Sequence, residues 1–90
     1  MKSDSEATTM YFVYVIQSII DGMRYTGSTS KEPKQRLKEH NSGSNKWTKG
    51  HKPFKMVHFE AFSGKTEAIK KEKFLKSGAG RKYIDEIVKQ

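Results

Sequence analysis

The stretch Met10-Tyr11-Phe12-Val13-Tyr14-Val15-Ile16-Gln17-Ser18 decides the fold. Its aromatic and β-branched side chains alternate, with Tyr11, Val13 and Val15 pointing one way and Phe12, Tyr14 and Ile16 the other. Both sets are apolar, so the segment reads as a strand buried on its two faces. Asp21-Gly22 marks a turn, and Met23 to Ser28 is the expected hairpin partner. Upstream, residues 1–9 are small, polar and without periodicity. They are expected to form a disordered tail outside the fold, which leaves residues 10–90 as one domain.

Downstream, Ser30 can cap a helix that tolerates Pro33 in its first turn and runs to about Asn41, where Ser42-Gly43 ends it. Arg36 and His40 are four residues apart on one face of that helix. Ser42 to Pro53 is a basic loop that holds Trp47, the single tryptophan, and Phe54 to Phe62 returns to strand composition. A second helix is predicted from Ser63 to Ser77, then a break at Gly78-Ala79-Gly80. A closing helix follows from Arg81 to Lys89, with Tyr83, Ile84, Ile87 and Val88 on its apolar side. The order β-β-α-β-α-α predicts an α/β domain with a small mixed or antiparallel sheet under helices. Pattern alone leaves the strand order open.

Ninety residues without a cysteine bury one modest core and use neither disulfides nor thiolate-bound zinc, so any metal must sit on oxygen or imidazole. The longest apolar run, Tyr11 to Ile16, is too short for a membrane span or a signal h-region, and a cytoplasmic protein is expected. The formal net charge is +8. From Lys31 to Lys55 there are eight lysines and arginines against two glutamates, a net of six positive charges. Lys34, Lys46 and Lys49 belong to this patch, and so concentrated a charge points to a polyanion such as nucleic acid. Trp47 beside Lys46 can stack on an unpaired base or fold back as a local plug.

Five further side chains suggest chemistry. In the second helix Glu72 falls within the stripe of Ala68, Ile69 and Leu75, apart from Lys70, Lys71 and Lys73. A carboxylate aimed there needs a cation, which is either a metal or a lysine bridged at the rim. Arg36 and His40 suit a phosphate oxygen and a proton, or are plain surface residues. Tyr14 and Tyr25 on the hairpin are core or rim residues, or phenols that bind water or phosphate. Gly27 within a strand marks a bulge or a close approach.

Val13-Tyr14-Val15 followed by Tyr25-Thr26-Gly27 resembles the paired tripeptides of the GIY-YIG endonucleases. Arg36 to Gly43 resembles the helix after them, and Glu67 to Glu72 resembles the helix that carries their metal-binding glutamate. The likeness spans about Met10 to Ile84. It implies a three-stranded antiparallel sheet flanked by helices, and hydrolysis of phosphodiester bonds in DNA or a related nucleic acid, in repair or recombination. It also implies one Mg²⁺ or Mn²⁺ at Glu72. Tyr14 or Tyr25 would position or deprotonate water, Arg36 would neutralise phosphate charge, and His40 would assist. No Asn follows Glu72, where some family members carry one. The alternative is a non-catalytic nucleic-acid-binding module with the same basic surface; a monomer is compatible with either.

Overall fold

The strand Tyr11–Ser18, β1, lies in the middle of the molecule and is covered on both sides, as its alternation predicts. The computed structural model describes residues 10–89, so the expected tail at residues 1–9 falls outside the described residues. β1 pairs antiparallel with β2 (Arg24–Thr29) on one side and with β3 (Phe54–Phe62) on the other. Helices α1 (Pro33–Asn41), α2 (Lys65–Lys76) and α3 (Gly78–Val88) complete the fold, with one turn of 3-10 helix at Thr48–His51. Order and sheet match the expectation from sequence.

Period-two alternation divides the core in two. On one face Val13 and Val15 pack with Ala68 and Leu75 of α2 and Ile84 of α3. On the other, Tyr14 and Ile16 pack with Phe54, and Leu37 of α1 and Tyr25 of β2 close over them. The hairpin between β1 and β2 turns at Gly22, whose φ of 78° suits glycine. Asp21 accepts a hydrogen bond from the Met23 amide at 3.0 Å and so reinforces the turn.

Two helix starts differ from the sequence reading. Glu32, not Ser30, is the residue before α1, and no side chain caps it. Pro33 prefers the first helical position and forces the residue before it into extended geometry, so the helix cannot begin earlier. The end of α1 is as predicted. Gly43 at φ 89° donates to the His40 carbonyl and Ser44 donates to that of Glu39, a Schellman closure.

Gly78-Ala79-Gly80 is not a break but the first turn of α3. Ser77 alone separates the helices, capping α3 by accepting from the Gly80 amide at 3.2 Å. Gly80 is needed for closeness: a Cβ there would sit 2.0 Å from the Phe74 carbonyl oxygen. The tight corner sets α3 directly against the end of α2.

Candidate active site

Gly27 in β2 pairs with Tyr14 in β1, and its missing side chain makes room for two phenols. A Cβ at Gly27 would lie 2.7 Å from the Tyr14 hydroxyl and 3.0 Å from the Tyr25 ring. The strand glycine therefore marks a close approach, by the chain's own tyrosine. The sheet's irregularity lies elsewhere, between Val15 and Ile16 along β3.

His40 comes down onto these phenols from the last turn of α1. It is 0% exposed, which removes the surface reading of this residue. Its Nε2 lies 2.9 Å from the Tyr14 hydroxyl and its Nδ1 lies 2.8 Å from Oγ1 of Thr48, itself fully buried. Burial, helped by the nearby Arg36 charge and opposed by Glu39, pushes the imidazole down to about 4. A neutral imidazole has one donor and one acceptor nitrogen. Thr48 gives its own proton to the Asn45 carbonyl, so it accepts from Nδ1–H and leaves Nε2 to accept from Tyr14. The phenol proton is thereby directed at His40. Burial of Tyr14 raises its pKa well above the ordinary phenol range; Arg36 opposes this, and Tyr25 and Glu72 add to it. Tyr25 is half-buried, with its ring 4.9 Å from that of His40 and 5.6 Å from that of Trp47.

Arg36, one turn before His40, is held by Glu39, with Nη1 donating to Oε1 at 2.8 Å. Hydrogen bonding from Lys31, joined by Arg36 and Gln35 against partial burial, holds the Glu39 carboxyl down at about 2. Arg36 is thus a positioned cation, part exposed, within reach of the Tyr14 phenol's field.

Glu72 stands on the other face of the sheet, at the unpaired edge of β2. On a helix it lies about 40° from Ala68 and about 60° from Leu75. Ile69 lies about 100° from Ala68 on the same side and is 39% exposed, so it is not part of the packed stripe. The carboxylate is at the rim, 21% exposed, where Ser28 donates to Oε1 at 2.8 Å and Lys76 pairs with Oε2 at 2.8 Å. Burial acts to raise its pKa, but the bonds from Lys76 and Ser28 outweigh it and hold the carboxyl below the ordinary value. Its charge still reaches the Tyr14 phenol around the strand edge.

The basic loop stays partly open. Lys34, Lys46 and Lys49 are exposed and form no ion pair among the described residues. Trp47 is 47% exposed and folds back against Tyr25 and against the ring of His51, 5.2 Å away. It is both wall and plug. Thr48, Ser28 and Glu39 are the site neighbours that sequence reasoning passed over. Thr48 sat in a loop without periodicity, and only the tertiary fold brings Ser28 opposite Glu72.

No group of three or more His, Asp and Glu able to hold an ion exists among the described residues. Mg²⁺ nevertheless keeps several waters and binds through one or two carboxylates plus substrate phosphates. A lone, ionised, half-covered Glu72, already facing an ammonium, fits such a hard cation and does not fit zinc.

The α/β domain thus sets phenols, an imidazole and a guanidinium on one face of the sheet and a carboxylate at the rim of the other, beside the edge strand β2. Residues 10–83 match the model of the GIY-YIG catalytic domain, and the chain belongs to that family. Within it the chain is similar to UPF0213 proteins. The Halobacterium salinarum protein is 42% identical over 64 residues, covering 70% of this chain and 80% of the relative. The Haloquadratum walsbyi protein is 35% identical over 68 residues, 74% of each chain. The solution NMR structure of the UPF0213 protein BH0048 from Bacillus halodurans is 33% identical, with a TM-score of 0.53 over 87% of this chain and 84% of that one. No helix among the described residues is long and apolar enough to cross a membrane.

Proposed function

We propose that this chain is an endonuclease that hydrolyses phosphodiester bonds in DNA or a closely related nucleic acid, with Mg²⁺ or Mn²⁺ held at Glu72. The observation that carries the reading is that Tyr14, Tyr25 and His40 meet at Gly27 on one face of the edge strand, with Arg36 one turn before His40, while Glu72 bonds Ser28 of the same strand at the rim of the other face. A bound divalent ion supplies Lewis-acid stabilisation of phosphate oxygens.

The chain's own residues divide the remaining work. Tyr14, 1% exposed and hydrogen-bonded to a neutral His40, forms the rigid back wall and keeps its proton. Tyr25 is only partly buried, which favours it over Tyr14 as the phenol that orients the attacking water. Arg36, fixed by Glu39, presents a guanidinium to the charge that builds on phosphate oxygens, where a pre-oriented cation does most. Lys34, Lys46 and Lys49 add sequence-independent affinity.

The deciding experiment incubates the purified chain with plasmid and with branched DNA, in Mg²⁺, in Mn²⁺ and in EDTA. Metal-dependent cleavage that Glu72→Gln abolishes is the expected result. Binding without cleavage under every metal condition would leave the non-catalytic module as the correct reading.

A further inference from the structure

Beside the candidate site a cavity of about 580 Å³ runs along the outer edge of β2. β2 pairs only with β1, so this edge carries main-chain groups with no strand partner among the described residues. Trp47 and Met23 form an apolar wall, and Arg24, Lys76 and Arg81 bring three positive charges; no carboxylate lines the cavity. Two of those charges are engaged, Arg24 with Asp85 at 2.7 Å and Lys76 with Glu72. Arg81 is exposed and forms no ion pair among the described residues.

We infer that this groove holds the sugar-phosphate backbone of the cleaved strand on one side of the scissile bond, with Arg81 as the phosphate ligand. The inference rests on the nuclease reading. Continuity supports it, because Tyr25 lines both groove and site, and Lys76 lines the groove while bonded to Glu72. So does charge: the lining carries Arg24, Lys76 and Arg81 and no carboxylate, and Arg81 forms no ion pair among the described residues, so a phosphate meets a free guanidinium there. The Lys31 to Lys55 patch alone does not supply this path, since Arg81 lies on α3, far along the chain from it.

The test measures anisotropy of a labelled oligonucleotide on the full chain in EDTA across a salt series. Arg81→Gln is compared with Lys82→Gln, which removes the same charge from a neighbouring position that does not line the groove. Arg81→Gln should weaken binding about tenfold and lower the log–log salt slope by about one, with Arg81→Lys partly restoring both. Lys82→Gln should change affinity less than about twofold. Equal losses in the two variants, or none in Arg81→Gln, overturn the groove, as does failure of the wild type to bind the oligonucleotide. A wild-type dimer in sedimentation that Arg81→Gln dissociates, with oligonucleotide affinity unchanged, would assign the edge to pairing between copies and overturn it equally. The two readings separate cleanly. Cleavage in Mg²⁺ with an unaltered KM in Arg81→Gln removes the groove and leaves the nuclease, whereas Arg81-dependent binding without cleavage removes the nuclease and leaves Arg81 as a phosphate ligand of a binding module.

Discussion

The Tyr14–His40–Thr48 chain and the Ser28–Glu72–Lys76 rim lie on opposite faces of the same sheet, yet they are built on contrary principles. The first is fully buried and uncharged, and each polar atom in it has a partner. The second is part exposed and ionic, and its lysine is 56% exposed. A buried neutral chain is costly to break because each removed partner strands another polar group. An exposed ion pair is worth little to folding, so its residues are free to be replaced by a ligand. One candidate site thus joins a rigid half to an exchangeable half.

The sharpest way to break this contrast is His40→Ala. It should lower stability by about 3 to 4 kcal/mol, since it opens a cavity and orphans the Tyr14 and Thr48 hydroxyls. Chemical denaturation checks it, and a loss below about 1 kcal/mol would mean the chain is not a structural unit.

Acid should act next. His40 is held at about 4 in the fold against an ordinary 6.5, so the unfolded chain binds a proton first as pH falls. Its contribution is full above pH 6.5 and is lost between 6.5 and 4, by at most about 3 kcal/mol. The depressed carboxyls of Asp21, Glu39, Glu60 and Glu72 contribute above their ordinary values, and that contribution fades only below about 4.5. A stability profile of His40→Gln should therefore be flat from 6.5 to 4.5 where the wild type slopes.

Glu72→Gln should show the opposite balance to His40→Ala. Cleavage is expected to fall at least about a hundredfold, while stability in EDTA changes by less than about 1 kcal/mol. Denaturation and a nuclease assay on the same preparation read both. A variant that is strongly destabilised yet still cleaves would make Glu72 structural. The smallest effect belongs to Lys49→Ala, a single exposed cation of the loop. Binding should weaken only about twofold to threefold, with a shallower salt dependence, as read by titration at two ionic strengths.

The sequence carried the sheet well because β1 satisfies both faces by simple alternation and because Gly22 and Gly43 stand where positive φ is required. Of the two readings open for Glu72, a metal ligand or a rim carboxylate bridged to a lysine, the lysine at the rim is present as Lys76, and the helical angle of about 100° between Ala68 and Ile69 explains why Ile69 lies outside the packed stripe. Ser77 ahead of Gly78 was a recognisable cap, masked by the two glycines after it. The burial of His40 was not legible. A nine-residue helix has too few turns for its pattern to reveal which face a loop will cover, and Thr48 comes from such a loop.

Asn41 gives that loop a further property. Its side-chain amide accepts from the Phe54 amide at 2.7 Å and donates to the Phe54 carbonyl at 3.2 Å, as a neighbouring strand would. Farther along, His51 meets Asp21 at 2.7 Å, and Ser18 donates to the His51 carbonyl. The segment from 42 to 53 is therefore a ring fastened at its neck and again at its far side, and it behaves less as a flap than as a rim. Much of the loop's backbone ordering entropy is already lost in the free protein, so a polyanion meeting its lysines need order only their side chains.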